Sequence, residues 1–200
     1  MENQTLLKKP ETFIQFYDAK LGPLLGIRKD GFRFIFEKLE SQKIKNYKIV
    51  ETGTLRKINQ WSDGQSTRLF DMFINFHQGT LFSVDISEDA IETAHSIVSE
   101  RTYFRCGDSV SFLNELSSEH KFDLIYLDSF DVDFEKPHES SLHHIFELCS
   151  VLHKNTKSGT IIAIDDNKEG VGKGQYISKY FEMIGLKKVY DGYQLIYIMP

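Results

Sequence analysis

Acidic side chains follow each of five β-rich segments of the chain, close to the point where each segment ends. They are Glu51, Asp85, Asp108, Asp128 and the pair Asp165–Asp166. A single acid in such a place usually caps a helix or faces solvent in a turn. Carboxylates also accept hydrogen bonds from hydroxyl groups, bind cations and take up protons. If the fold brings the five segment ends together, these acids form a site for a polar or cationic ligand.

The segments that must position these acids alternate between β-rich and helical patterns from residue 48 onward. The predicted strands are 48–52, 81–86, 102–106, 122–128, 159–165, 187–191 and 193–199. The predicted helices are 66–76, 87–100, 109–118, 141–153 and 175–185, in which apolar residues recur every three or four positions. Strands separated by helices form parallel crossover units, whereas Asp191-Gly192 between the last two strands favours an antiparallel hairpin.

These patterns predict an α/β fold with a Rossmann-like, doubly wound, mostly parallel sheet of seven strands and an antiparallel C-terminal hairpin. We expect residues 1–200 to form a single domain, with 1–47 as an N-terminal helical extension and 48–200 as the Rossmann-like core. Two roles fit the extension: it covers a substrate cleft, or it joins two subunits into a homo-oligomer. In an open parallel sheet, ligands bind beyond the carboxyl ends of the strands, which is where the acids lie.

Composition and charge argue against several other classes of protein. The chain has 200 residues, of which 40% are hydrophobic, and no stretch approaches the roughly 20 apolar residues of a membrane span. Ten basic and six acidic residues lie in 1–50, against fourteen and twenty-three in 51–200, so we expect no nucleic-acid partner. Cys106 and Cys149 form no CxxC motif. We therefore expect a cytoplasmic protein with free thiols.

The first predicted strand and its loop resemble the first motif of class I S-adenosylmethionine-dependent methyltransferases. The residues are Val50-Glu51-Thr52-Gly53-Thr54, and Gly64-Gln65-Ser66-Thr67 then opens the next helix. A long loop behind an acid suits the cationic amino group of S-adenosylmethionine and would repel a pyrophosphate. The compact glycine triplet of a dinucleotide fingerprint is missing. The resemblance implies that Glu51, Gly53, Ser66 and Thr67 contact the cofactor.

Three later motifs extend the resemblance over about residues 48–199. Val84-Asp85-Ile86 stands where the family's acid binds both ribose hydroxyls, Cys106-Gly107-Asp108-Ser109 matches the adenine-contacting motif, and Tyr126-Leu127-Asp128 matches the fourth motif. The resemblance implies cofactor contacts from Asp85, Ile86, Asp108 and Ser109. It also implies methyl transfer from S-adenosylmethionine, and we expect a hydroxyl oxygen of a small molecule or sugar as acceptor. The alternatives are a nucleotide-binding Rossmann-like protein without methyl transfer and a nicotinamide-dependent oxidoreductase.

The acids after the fourth and fifth strands resemble the Mg²⁺-binding set of metal-dependent O-methyltransferases of the catechol and macrolide-sugar types. The corresponding residues here are Asp128, Asp165, Asp166 and Asn167. Oxygen ligands of this kind suit a hard cation, which would fix and acidify the acceptor hydroxyl. The competing interpretation is that Asp165 and Asp166 cap the following turn while Asp128 contacts the cofactor.

A general base is expected in the segment after the fourth strand. Catechol-type enzymes carry a lysine shortly after the acid of that strand, but Asp131 stands there in this chain and argues against a catechol acceptor. His138, His143 or His144 could replace the lysine, because imidazole titrates near neutrality. The predicted catalytic residues are Asp128, His138 and His144. The glycine-rich stretch 168–175 is expected to form a mobile lid whose Lys173 meets an acidic group of the substrate.

Overall fold

The computed structural model describes residues 12–61 and 65–200 of the chain. Residues 1–11 of the N-terminal extension and Gly64 of the first loop lie outside these ranges. The strands are β1 (Lys48–Thr52), β2 (Thr80–Asp85), β3 (Thr102–Cys106), β4 (Leu124–Leu127), β5 (Ile161–Ile164), β6 (Asn167–Lys168), β7 (Val171–Gly172), β8 (Tyr190–Asp191) and β9 (Leu195–Ile198). The α-helices are α1 (Phe13–Phe16), α2 (Lys29–Ser41), α3 (Ser66–His77), α4 (Glu88–His95), α5 (Ser109–Glu115), α6 (His138–Val151) and α7 (Gln175–Met183).

Seven of these strands form one sheet in the order β3-β2-β1-β4-β5-β9-β8. The pairs from β3 to β5 are parallel, and β9 runs antiparallel to both β5 and β8. The predicted α/β, Rossmann-like fold class is therefore confirmed. The order reverses at β1, because β2 and β3 lie on one side of it and β4 and β5 on the other. Such a switch point opens a crevice at the carboxyl ends of the strands.

The central strands are apolar along their whole length because helices cover both faces of the sheet. All residues of β4 and β5 are buried, as expected for strands packed on two sides. One face carries the N-terminal helices and α3, which meet in an aromatic layer where Phe36 and Phe73 have ring centroids 5.3 Å apart. Within the described residues, no helix has the length and apolar character needed to span a membrane.

Two segments near the site differ from their predicted form. The stretch 168–175, predicted as a mobile lid, lies in and directly after a short antiparallel hairpin of β6 and β7. Its base is fixed by Asn167, whose side-chain amide donates to the backbone oxygens of Ile164 and Asp165 and accepts from the N–H of Gly174. The predicted strand 187–191 is reduced to Tyr190–Asp191 at the edge of the sheet.

The helical link Gly26–Arg28 before α2 brings Arg28 to the carboxyl end of β5.

Candidate active site

A cavity of about 580 Å³ opens beyond the carboxyl ends of β1, β2, β3 and β4, at the predicted switch point. This volume is typical of small-molecule and cofactor sites. The residues predicted to contact a cofactor that line this cavity are Gly53, Asp85, Ile86, Asp108 and Ser109, and Asp128 lines it as well. The acids at the ends of β2, β3 and β4 are therefore brought to one cavity, as the strand order requires.

Asp85 joins the first two loops of the cavity. Its Oδ2 accepts a hydrogen bond from the backbone N–H of Thr54 at 2.9 Å, and its Oδ1 accepts one from Ser87 N–H at 2.8 Å. A carboxylate oxygen has a second lone pair after accepting one hydrogen bond. Asp85 can therefore receive two further hydrogen bonds, such as those of a vicinal diol, without giving up its structural contacts.

The loop after β3 offers a polar surface to the cavity, and the loop after β2 offers an apolar one. Asp108 caps α5, because its Oδ1 accepts a hydrogen bond from Ser111 N–H at 2.8 Å. Capping and ligand binding are compatible here, since Asp108 is exposed and lines the cavity. Ile86 is 80% exposed although it is a large apolar residue. Its side chain provides an apolar surface on which a planar ring can pack.

Gly53 is required by the close approach of two loops. It has a φ of +79°, and a Cβ at this position would lie 2.5 Å from the backbone oxygen of Asp128. Any side chain would therefore separate the loop after β1 from the end of β4. The glycine allows these two walls of the cavity to meet.

Three predicted cofactor residues do not line the cavity and instead support the first loop from inside. Glu51 is fully buried, and its Oε1 accepts a hydrogen bond from Ser83 Oγ at 2.7 Å. Burial raises the pKa of Glu51 to about 7. Thr67 Oγ1 accepts from Leu55 N–H at 2.9 Å, and Ser66 is also buried. Glu51, Ser66 and Thr67, predicted to contact the cofactor, are thus buried behind the first loop and do not line this cavity.

The acids after β4 and β5 converge on one point. β4 and β5 are parallel neighbours with Leu127 opposite Ile164, so Asp128 and Asp165 leave the sheet side by side. Asp166 has a φ of +53°, a left-handed conformation that turns the chain at this point. Asp128, Asp165 and Asp166 each place one carboxylate oxygen within 4.8 Å of the others. We call these three residues the acidic cluster.

Two basic side chains contact the acidic cluster. Lys173, which is 1% exposed, places Nζ 2.5 Å from Asp128 Oδ1 and 2.8 Å from Asp166 Oδ2. Burial lowers the pKa of Lys173, but the carboxylates of Asp128 and Asp166 outweigh burial and hold the pKa above its ordinary value. Arg28 contacts Asp165 at 2.8 Å and Asp166 at 2.7 Å. The cluster is therefore an ion-pair network with the buried amino group of Lys173 inside it.

As arranged, these residues do not fit the predicted Mg²⁺ site. The ammonium group of Lys173 lies against two of the three carboxylates that would bind the ion. Asn167, the fourth predicted ligand, uses both ends of its amide to hold the hairpin backbone. Magnesium requires several oxygen ligands in near-octahedral geometry. The predicted Mg²⁺ and the observed ammonium are thus alternatives for the same carboxylates.

The structure presents a different histidine to the cavity from the two predicted as catalytic. His144 is fully buried, its Nδ1 lies 2.6 Å from the backbone oxygen of Ser140, and burial lowers its pKa to about 4. His138 is exposed and bonds to the hydroxyl of Tyr176. Neither lines the cavity, whereas His143 does. Of the two histidines predicted as catalytic, His144 is turned inward by the helix and His138 lies at the start of the helix.

His143 belongs to a polar network in the cavity wall. Its Nε2 lies 2.8 Å from Ser109 Oγ and 3.4 Å from Glu147 Oε1, which also accepts from Ser129 Oγ at 2.7 Å. The hydrogen bond to Glu147 raises the pKa of His143. Burial alone would raise the pKa of Glu147, but His144 and the hydrogen bonds from His143, Ser109 and Ser129 lower it to about 2. This network holds Ser109 and Ser129 next to each other in the wall, with their Oγ atoms 3.4 Å apart.

Sequence reasoning missed one functional contact and misassigned another. Arg28 carries no local signal, because its partners lie more than 130 positions away. The sequence predicts that Lys173 meets an acidic group of a substrate, whereas in the structure Lys173 contacts Asp128 and Asp166. Glu147 lies four positions after His143 and three after His144, so the helical spacing pairs it with either histidine and does not indicate which one faces the cavity.

Comparisons with solved structures identify the fold. The MycE methyltransferase from the mycinamycin biosynthetic pathway, in complex with Mg and SAH, superposes with a TM-score of 0.62 at 14% identity, covering 95% of this chain and 55% of that one. CalS11, a TDP-rhamnose 3'-O-methyltransferase of calicheamicin biosynthesis, has a TM-score of 0.58 at 12% identity, with coverages of 95% and 87%. Aeropyrum pernix fibrillarin has a TM-score of 0.51 at 11% identity, with coverages of 77% and 67%.

The chain therefore has the fold of class I S-adenosylmethionine-dependent methyltransferases. It spans about half the length of the MycE chain. No protein-family model and no curated protein sequence matches it.

Proposed function

We propose that the protein is an S-adenosylmethionine-dependent methyltransferase that acts on a hydroxyl oxygen of a small molecule or sugar. The observation that carries this proposal is the position of Asp85. It ends β2 at the mouth of the cavity, and its two oxygens are already aligned by Thr54 and Ser87. A carboxylate held in this way suits the two hydroxyls of a ribose.

The charge of the cavity supports a cationic cofactor. Asp85, Asp108, Asp128 and Asp131 line it, and the guanidinium of Arg56, which also lines it, contacts Asp131 at 2.9 Å. S-adenosylmethionine carries a positive sulfonium, a positive amino group and one carboxylate, so its net charge is positive, whereas a dinucleotide carries two phosphates and is anionic. An acidic lining attracts the first and repels the second.

The nicotinamide alternative also lacks its usual phosphate site. Dinucleotide enzymes bind the pyrophosphate at the N-terminus of the helix after the first strand. Here α3 begins at Ser66, thirteen positions after Gly53, and among the described residues the first turn of α3 does not line the cavity. Methyl transfer is therefore favoured over hydride transfer.

The proposed roles follow the walls of the cavity. Asp85 holds the ribose, while Ile86, Asp108 and Ser109 form the surface for adenine. Gly53 and Asp128 border the end where the sulfonium would lie. Transfer forms a carbon–oxygen bond, breaks the carbon–sulfur bond and leaves S-adenosylhomocysteine. The acceptor hydroxyl loses its proton, which we assign to the carboxylate of Asp128, because this group lines the cavity beside Gly53.

The acceptor class is taken from the structural neighbours. MycE was solved with Mg, SAH and mycinamycin VI, and CalS11 is named for methylation of a TDP-linked sugar. We propose a hydroxylated small molecule of this kind for the present chain. Metal assistance, which the sequence resemblance implies, competes with the observed ammonium of Lys173 for the acidic cluster.

A cytoplasmic location is part of the proposal. Cys106 and Cys149 are both exposed and unpaired. Free exposed thiols are typical of proteins in a reducing compartment.

Calorimetric titration with S-adenosylhomocysteine and, separately, with NAD tests the proposal. We expect binding of the first and none of the second. Incubation with S-adenosylmethionine and a panel of TDP-sugars and glycosides, read by mass spectrometry, then tests for the gain of one methyl group. Binding of NAD alone would contradict the proposal. Binding of S-adenosylhomocysteine without transfer to any hydroxylated acceptor would favour the nucleotide-binding alternative.

A further inference from the structure

The acidic cluster already holds cations that the chain itself supplies. Lys173 and Arg28 bring two positive charges to the acidic side chains of Asp128, Asp165 and Asp166. A divalent cation entering this network would have to sit beside a buried ammonium group. The repulsion between two cations at contact distance in a poorly hydrated site opposes this arrangement.

The ammonium group uses the same oxygens that an ion would need. Nζ of Lys173 contacts Asp128 Oδ1 and Asp166 Oδ2, and it donates a third hydrogen bond to the backbone oxygen of Asp128 at 3.2 Å. An ammonium group has three donors. All three are therefore satisfied inside the protein, and Lys173 has no donor left for a substrate.

The hairpin of β6 and β7 is built to keep Lys173 in this position. The N–H of Lys173 donates to the backbone oxygen of Asp166 at 3.2 Å. Gly172 has a φ of +140°, and a Cβ there would lie 2.2 Å from the same backbone oxygen. Only a glycine allows the hairpin to lie this close to the end of β5. The lysine is thus held by its backbone hydrogen bond to Asp166 and by the close approach of Gly172, and its side chain is buried.

We infer that the ammonium group of Lys173 takes the place of a divalent cation at the acidic cluster. Where it concerns catalysis, the inference rests on the proposed function. Lys173 is then a positioning residue that holds one carboxylate oxygen of Asp128. Lys173 contacts Oδ1 of Asp128, and the Asp128 side of the cluster borders the cavity in which the acceptor would lie. Methyl transfer by this protein therefore needs no added metal.

Titration with Mn²⁺, followed by the electron paramagnetic resonance signal of the free ion, tests the inference without any substrate. The wild-type protein, dialysed against EDTA, is expected to leave Mn²⁺ free and to keep the same melting temperature with and without Mg²⁺. Lys173→Met removes the charge and keeps most of the side-chain volume. This variant is expected to bind Mn²⁺ at least about tenfold more tightly than the wild type.

Lys168→Met is the matched control, because Lys168 lies exposed in the same hairpin. It is expected to behave as the wild type does. Stoichiometric Mn²⁺ binding by the wild type, lost in Asp166→Asn, would overturn the inference, and this result needs no folded Lys173 variant. A folded Lys173→Met protein that binds no Mn²⁺ would also overturn it, because the three carboxylates would then form no cation site.

Calorimetry with S-adenosylhomocysteine on the same wild-type samples separates this inference from the proposed function. Binding that is equal with and without EDTA supports both. Absence of S-adenosylhomocysteine binding contradicts the proposed function, while the Mn²⁺ titration still decides which cation the acidic cluster holds.

Discussion

The carboxylate of Asp85 and the backbone N–H of Thr54 form a hydrogen bond of 2.9 Å that ties the end of β2 to the loop after β1. The second oxygen of Asp85 holds the start of α4 through Ser87 N–H. One side chain therefore sets the relative position of two cavity walls. Such a preorganised group binds a ligand without a further ordering cost.

Replacing Asp85 by alanine should weaken the binding of S-adenosylhomocysteine by about 1.5–3 kcal/mol, the usual range for hydrogen bonds to a charged group. Calorimetry measures this change. Asp89→Ala is the control, since Asp89 is exposed on α4 and does not line the cavity. An unchanged dissociation constant for Asp85→Ala would place the ribose elsewhere.

Glu51 should make the stability of the protein depend on pH. Its pKa is raised by burial from 4.5 to about 7, so the folded state favours the protonated acid. The stability that this group contributes is complete below pH 4.5 and is lost as the pH rises through 7. The loss amounts to about 3 kcal/mol, since one pKa unit corresponds to about 1.4 kcal/mol.

Glu51→Gln should remove this dependence of stability on pH, because the side-chain amide of glutamine does not ionise. Urea denaturation at pH 5 and pH 8 is the measurement. We expect the variant to gain stability over the wild type at pH 8 and much less at pH 5. An equal effect at both pH values would show that Glu51 ionises freely in the folded protein.

The architecture was predictable because the buried strands carry strong local signals. The apolar runs of β4 and β5 and the Asp191-Gly192 turn indicate parallel and antiparallel pairing from the sequence alone. The convergence of Asp128 with Asp165 follows from the adjacency of these two strands. The cavity acids were predictable for the same reason.

The contents of the acidic cluster were not predictable, because they depend on long-range contacts. Arg28 reaches Asp165 across 137 positions of the chain. The inward direction of His144 depends on the packing of α6, and the sequence offers adjacent histidines without indicating which one faces the cavity. Glu51 stands at the position of a cofactor-binding acid in the motif. In the structure its side chain lies in the interior, where it accepts a hydrogen bond from Ser83 on the neighbouring strand.

His143 should titrate above the ordinary histidine value of 6.5, because Glu147 stabilises its charged form. A raised pKa in the folded state means that the pair stabilises the protein below pH 6.5 and that this contribution is lost as the pH rises through the folded-state pKa. Glu147→Gln should lower the pKa of His143. Nuclear magnetic resonance of the imidazole Cε1–H signals follows both changes.

His144 provides the internal reference in the same spectra. Burial lowers its pKa to about 4, so its signal should stay that of neutral imidazole while His143 titrates. A His143 that titrates below 6.5 in the wild type would contradict the proposed ion pair with Glu147.

The hairpin glycines allow a test of how tightly Lys173 is held. Gly170→Ala and Gly172→Ala both place a side chain at positive φ, with φ values of +82° and +140°. Backbone strain of about 1 kcal/mol or more is expected in each. At Gly170 no atom lies within 4 Å of the new Cβ, whereas at Gly172 the backbone oxygen of Asp166 lies 2.2 Å away.

Gly172→Ala should therefore destabilise the protein by about 1–3 kcal/mol more than Gly170→Ala does, as measured by urea denaturation. The clash is with backbone and cannot be relieved by a rotamer change, so the hairpin must move away from the end of β5. Because Lys173 is the next residue, its ammonium group should leave Asp128 and Asp166 when the hairpin moves. Gly172→Ala should then bind Mn²⁺ where Gly170→Ala does not. Equal stability of the two variants would mean that the hairpin is free to move and that Lys173 is not fixed by the backbone.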